Sequence, residues 1–272
     1  MIRVVDGPAS VVAGMLKAEA PSVICWRQAA TPGAGEALVA AAVRGDLGPA
    51  DARDHDENRP QVEVYGCAVS PSDRWPAGPD TAIYFDAAPA FRERLAQVPL
   101  DPARFFLEAL GHLASRSAEV PERAGRRYGS CTVRHLPRGT ALPPHCERIY
   151  DGIEVYRDLR AIGVDLAAQL SFFLVVGQPA RGGELRLHPG PWQERMAVLG
   201  PPRAKARPDD PDPPRPTFEA PPPITITPKA GDLVVFPGGG MVHEITPVED
   251  GDRWTVGGFA AFAPDGRLYA WG

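Results

Sequence analysis

Gly231-Asp232-Leu233-Val234-Val235-Phe236-Pro237-Gly238-Gly239-Gly240-Met241-Val242-His243, followed by Pro247-Val248, Gly251 and Arg253-Trp254-Thr255, is the stretch that decides the fold. A Gly-Asp turn feeds an apolar strand. A glycine-rich loop follows, then a lone histidine on the next strand. Residues 249–252 (EDGD) read as a turn, so Arg253 opens a further strand. Working outward, short strands are expected at 130–136, 169–176, 184–188, 224–227, 232–236, 242–246 and 254–262, with Gly and Pro turns between them. Many short strands at close spacing predict a sandwich or barrel.

The first half reads as mixed. Residues 10–20 are expected to be helical, with Val11, Val12, Met15 and Leu16 on one side, and 22–26 form a strand. Residues 51–60 are charged and read as a loop, and 61–70 as a strand. Asp101-Pro102 is a helix start, an N-cap followed by proline at the first helical position. Phe105, Phe106, Leu110 and Leu113 then recur at helical spacing as a core stripe. A helical piece is expected at roughly 151–167. Residues 201–223 hold ten prolines in 23 positions, which excludes core strand or helix and predicts a long loop. The chain thus divides into an N-terminal α/β flanking segment, 1–122, packed on a β-barrel core, 123–272, with the Pro-rich insertion inside the latter.

Composition bounds the function. Apolar residues make up 44% and charged residues 23%, ordinary for a globular chain, and the net charge of −5 argues against non-specific nucleic-acid binding. No apolar run is long enough to span a bilayer, and the first residues lack the apolar stretch of a secretory signal. Cys25, Cys67, Cys131 and Cys146 show no CxxC pair and read as reduced, mostly buried thiols. The expected compartment is the cytoplasm.

The chemistry starts at His145-Cys146-Glu147, after Pro143-Pro144. Residues i and i+2 of a strand point the same way, so the imidazole and carboxylate converge as a divalent metal requires. Two His and one carboxylate on one face of an octahedral iron leave three positions open. An HxE pair alone is weak, and a surface strand with polar residues facing water is the commoner explanation of one. His243 supplies the missing ligand type. Arg253, ten residues beyond, can hold a carboxylate bidentately, and Thr255 on the same strand face adds a hydroxyl.

Taken together, the HxE pair, the GD-LVVF strand, the distal His and the following PV, G and RW positions resemble the iron(II)- and 2-oxoglutarate-dependent dioxygenases, closest to their prolyl 4-hydroxylase-like branch. Gly182-Gly183-Glu184-Leu185 resembles that branch's GGE[TL] turn. Arg134-His135 with Gly139 loosely resembles its RY-xx-G element. The resemblance covers about 128–262. It implies a mostly β protein with flanking helices, a double-stranded β-helix (jelly-roll) barrel with iron in its mouth. It assigns His145, Glu147 and His243 to iron(II), and Arg253 with Thr255 to the distal carboxylate of 2-oxoglutarate. His135 stands where the branch carries a tyrosine that touches the cosubstrate, and is the third cofactor-binding expectation. Glu147 replaces the branch's usual Asp and remains a competent ligand. A carboxylate there argues against a halogenase, since related halogenases open that position for chloride by carrying a small residue.

The activity so implied is dioxygen-dependent hydroxylation of an unactivated C–H bond, with 2-oxoglutarate converted to succinate and carbon dioxide. The expected substrate is a small polar molecule such as a free amino acid or specialised metabolite, with no nucleic acid or membrane partner. Arg134, Arg138, Arg148, Tyr150 and Tyr156 flank the first ligand pair and are the groups expected to clamp a carboxylate or amine. Two other readings stay open: a peptidyl-prolyl or protein hydroxylase, and a non-catalytic metal-binding jelly-roll sensor.

Overall fold

A computed structural model of the chain describes residues 3–17, 22–53, 62–67, 81–150, 154–199 and 221–272. In the first half lie β1 (Arg3–Gly7), α1 (Ala9–Val12), β2 (Ser22–Trp26), α2 (Pro32–Val43), β3 (Ala50–Arg53) and β4 (Val62–Tyr65). They are followed by α3 (Thr81–Ala96), α4 (Pro102–Ala114), β5 (Ala118–Glu119), and the short pair β6 (Glu122–Arg123) and β7 (Arg126–Arg127). The second half holds β8 (Thr132–Leu136), β9 (Leu142–His145), α5 (Arg157–Ala161), β10 (Leu170–Gly177), β11 (Arg181–Gly182), β12 (Leu185–His188) and α6 (Trp192–Leu199). Then come β13 (Ile224–Ile226), β14 (Leu233–Phe236), β15 (Val242–Ile245), β16 (Val248–Asp250), β17 (Arg253–Phe262) and β18 (Leu268–Trp271).

From β8 onward the chain steps between two antiparallel sheets. β14, β10, β17 and β8 lie side by side in the large sheet, and β13, β12, β15 and β9 form the small one. Successive strands change sheet as β8, β9, β10, β12 and again as β13, β14, β15, β17, which is the winding of a double-stranded β-helix. The fold is mostly β with flanking helices. Between the sheets pack Val64, Leu136, Leu185, Leu187, Val234, Phe236, Ile245 and Val248. The outer face of the large sheet, with Phe172, Leu174 and Val256, packs against Leu38 of α2 and Phe106, Leu110 and Leu113 of α4. Each such side chain, fully buried, contributes about 1.5–3 kcal/mol.

The first-half strands extend the large sheet at both edges. β2 pairs with β14 and β1 with β2 on one side, and β4 pairs with β8 and β3 with β4 on the other. Asp232 of the Gly-Asp turn fixes the first of these junctions. Its buried carboxylate accepts from Arg27 Nη1 at 2.6 Å, Lys229 N at 2.8 Å and Gln28 N at 3.0 Å. Arg27 also pairs with Asp6 on β1.

Several local expectations need correction. The helix expected over 10–20 is the single turn α1: Gly14 takes φ +66° and the backbone leaves the helix, while Val12 and Leu16 are still buried. Residues 51–53 form strand β3 rather than loop, because β4 offers an unpaired edge that charged residues satisfy with their backbones as well as apolar ones do. Residues 54–60, including His55, lie outside the described residues. Within 154–168 the helix is broken into two 3₁₀ turns and α5, which Gly163 ends at φ +82°. Of the Pro-rich segment only 221–223 are described; they are irregular and lead into β13, and the rest lies outside the described residues. Helix α4 begins as expected, with the Asp101 carboxylate accepting from Arg104 N. α2 was not foreseen, since PGAGEALVAAAV is too uniformly small and apolar to show a stripe. Cys25, Cys131 and Cys146 are buried free thiols, and Cys67 is half-buried. Among the described residues no helix is long and apolar enough to cross a membrane.

Candidate active site

His145, Glu147 and His243 come together with their ligand atoms all within 4.8 Å of one another. His243 stands on β15 opposite His145 at the end of β9, and their rings are 4.3 Å apart. The expectation that His145 and Glu147 share a strand holds only for the histidine. Glu147 lies in a 3₁₀ turn beginning at that residue, and its N–H donates to Gly238 O at 3.1 Å, so the glycine-rich loop sets its position. Cys146 between them is fully buried and lines no part of the cavity.

Both imidazoles are oriented by backbone. His145 Nδ1–H donates to Pro143 O at 2.7 Å, and His243 Nδ1–H to Met241 O at 2.9 Å. A carbonyl only accepts, so each Nδ1 carries the proton and each Nε2 lone pair is left for a metal. Burial, followed by the neighbouring His243, pushes His145 down to about 4, which keeps it neutral and able to ligate. Burial raises the Glu147 carboxyl, but His243, His145 and Arg134 outweigh it and the net shift is downward, toward carboxylate. Ser171 Oγ donates to Glu147 Oε1 at 3.3 Å. Phe236 packs edge-on against the His243 ring.

The same cavity holds the cationic end. Arg253, the first residue of β17, is 4% exposed and its Nη2 has no hydrogen-bond partner. The guanidinium lies over the Phe173 ring, 5.0 Å from the centroid. A surface ion pair for Arg253 is excluded, since Glu249 pairs with Arg181 and Asp252 faces His135. Burial, then the charge of Arg134, lowers Arg253 to about 10. Thr255 lines the cavity two residues on, as its strand face requires. The GGEL turn has a direct part here: at Gly183 (φ +73°) an added Cβ would stand 3.0 Å from Arg253 Cδ, so the glycine makes room for the arginine stem. Glu184 is structural, exchanging hydrogen bonds with Thr246 through its N–H and carboxylate.

His135 is not in this cavity. It points to the outer face of β8, stacks on Trp254 at 3.9 Å, and bonds Glu63 through Nδ1 at 3.0 Å. The reason is strand alternation: His135 pairs with Trp254 on the outer face, and its neighbour Arg134 pairs with Thr255 on the inner one. Arg134 therefore lines the cavity, with Ser171 and Phe173, and these three had no assigned direction in the sequence. Once Arg253 and Thr255 are taken as inward, the register alone identifies Arg134. His188 closes β12 and bonds Glu244 on the neighbouring strand, away from the cluster.

A family model described as the carrier-protein-independent halogenase WelO5 matches residues 50–272, most of the chain and all of the barrel. The chain belongs to this family. It is a non-haem iron and 2-oxoglutarate oxygenase by that match, in agreement with the motifs. No curated protein matches it by sequence. Solved structures similar to it include an N-substituted L-amino acid dioxygenase from Burkholderia ambifaria, 19% identical over 69% of each chain with a TM-score of 0.45. A Pseudomonas putida prolyl-4-hydroxylase is 16% identical over 92% of this chain and 95% of that one, TM-score 0.41. The epimerase SnoN, in complex with Fe3+, alpha-ketoglutarate and nogalamycin RO, is 15% identical over 89% of this family member and 81% of that chain, TM-score 0.46.

Proposed function

We propose that the protein hydroxylates an unactivated C–H bond of a small polar substrate, such as a free amino acid or specialised metabolite, using iron(II), 2-oxoglutarate and dioxygen. One observation carries the reading. A two-His, one-carboxylate cluster shares a buried cavity with a guanidinium that no carboxylate of the described chain pairs. Two nitrogen donors and an oxygen donor suit ferrous iron with open positions. The unpartnered Arg253 Nη2 suits the far carboxylate of a dicarboxylic cosubstrate. His145, Glu147 and His243 hold the metal, and Arg253 with Thr255 holds the cosubstrate. When bound, the iron and 2-oxoglutarate supply the oxidant. The chain's own part is to present both Nε2 lone pairs, to hold Glu147 through Ser171 and the Gly238 carbonyl, to orient the cosubstrate, and to keep water out between Phe173, Phe236 and Phe259.

The family takes its description from a halogenase, but Glu147 supports hydroxylation. A carboxylate that completes the metal triad occupies the position a halide would need. Uncoupled turnover tests the reading. Protein purified without air, given iron(II) and 2-oxoglutarate and then exposed to air, releases succinate, and addition of amino acids in turn finds those that stimulate it. Absence of both succinate and a visible iron–2-oxoglutarate absorption band refutes the reading in favour of a metal-binding module. The division of the chain at 122 belongs to the same proposal.

A further inference from the structure

The cavity contains a second guanidinium, and its charge is not accounted for by iron and 2-oxoglutarate. Arg134 enters from β8 opposite Thr255, on the wall shared with Arg253. It is close enough to act electrostatically on Arg253, Glu147 and His145. Among the described residues neither arginine has a carboxylate partner. The nearby acids are engaged on the outer face, Glu63 and Asp252 with His135 and Glu249 with Arg181. Among the described residues Glu147 is the only acidic side chain lining the cavity. The formal charges are two arginines, +2, and Glu147, −1, which leaves +1 from the protein. Ferrous iron adds 2 and 2-oxoglutarate removes 2, so the complex still carries +1. Arg134 is half-buried, and a charge partly withdrawn from water with no partner is costly; the usual resolution is an anionic group of matching geometry. In the proposed reading both carboxylates of 2-oxoglutarate would be engaged elsewhere, one by the metal and one by Arg253.

We propose that Arg134 is the specificity residue: the substrate bears a carboxylate, and Arg134 receives it in the wall of the metal cavity. This rests on the iron and 2-oxoglutarate reading and narrows its substrates to molecules that carry a carboxylate, a class that includes free amino acids and excludes metabolites and blocked peptides that lack one. A guanidinium is suited to the task because its planar fork grips a carboxylate by two parallel hydrogen bonds and fixes the substrate's orientation as well as its position.

The test uses binding and needs no substrate in hand. Protein loaded anaerobically with iron(II) and saturating 2-oxoglutarate is titrated calorimetrically with acetate and with its neutral isostere acetamide, while the iron–2-oxoglutarate absorption band is followed. The expected result is that acetate binds about tenfold or more tightly than acetamide. Arg134→Gln brings the two probes to within about threefold of each other and leaves 2-oxoglutarate affinity within about threefold of the parent. Arg134→Lys, which keeps the charge, retains part of the preference for acetate. Equal binding of acetate and acetamide by the parent protein overturns the proposal. So does an Arg134→Gln loss of 2-oxoglutarate affinity as large as that of Arg253→Gln, which would put Arg134 on the cosubstrate. A parent protein that fails to bind 2-oxoglutarate at all refutes the underlying reading instead, so the two failures are told apart.

Discussion

Replacing Arg253 by methionine should make the ligand-free protein more stable while removing its hold on 2-oxoglutarate. The guanidinium is 4% exposed, one of its nitrogens is unbonded, and burial lowers its pKa from the usual arginine range to about 10. The sign follows from linkage: a cation with a lowered folded-state pKa is penalised in the native state at every pH below that value, so at neutral pH Arg253 destabilises the free protein. At 1.36 kcal/mol per tenfold in acidity constant the penalty is on the order of 3 kcal/mol. Methionine fills similar volume without charge, and replacements of this kind stabilise by about 1–4 kcal/mol. For a domain of this size each kcal/mol moves the melting temperature by roughly 2–4 °C, so the free variant should melt about 2–16 °C higher. With ligand the order reverses. Losing a buried, hydrogen-bonded charge partner costs about 2–5 kcal/mol, or about thirtyfold to several thousandfold in Kd. The parent melts higher with 2-oxoglutarate, by about 2.7 kcal/mol at a hundred times Kd, and the variant gains at most about a third of that at the same concentration. Calorimetric melting with and without ligand measures both arms. A variant that melts lower than the parent and gains as much from 2-oxoglutarate as the parent does would refute the reasoning.

Other substitutions probe the supports of the site. Gly183→Ala places a methyl 3.0 Å from Arg253 Cδ at a positive φ, and should weaken 2-oxoglutarate binding about tenfold with iron affinity largely spared, read by titration of the absorption band. Gly238→Ala drives a Cβ into the Ser171 side chain and to 3.4 Å from Glu147 Cγ, and should instead lower iron affinity by about 10–100-fold in a metal titration. His145→Ala should abolish the iron–2-oxoglutarate band, and a retained band would remove His145 from the metal. Asp101→Ala removes the α4 cap and should cost about 1 kcal/mol in urea unfolding without altering ligand affinity.

What the sequence disclosed and what it concealed follow from the range of the forces involved. The barrel strands from 130 to 262 were readable because apolar runs and Gly/Pro turns are local signals, and the proposed ligand positions could be picked out because metal chemistry restricts residue type. His135 was misplaced because motif alignment gives a position along the chain, whereas the direction of a side chain depends on register with Trp254, more than a hundred residues away. Glu147 was expected on a strand and is held by a turn bonded to Gly238, again a long-range contact. Strand β3 was hidden because it is its backbone pairing with the β4 edge, a contact outside its own sequence, that makes it a strand. Arg253 was identifiable by its spacing from His243, but its lack of a partner appears only when the neighbouring acids are seen to be engaged elsewhere.

The pairing of β2 with β14 has a practical consequence for anyone who trims this protein to its family-matched portion, 50–272. Such a fragment keeps every proposed metal and cosubstrate residue, yet it strips the neighbour from Leu233, Val234 and Val235, whose backbone N–H and C=O groups would then face water along a flat hydrophobic border. Borders of that kind recruit one another between molecules. A shortened chain would precipitate or form intermolecular sheets before its catalysis could be assayed, and its silence would say nothing about the iron.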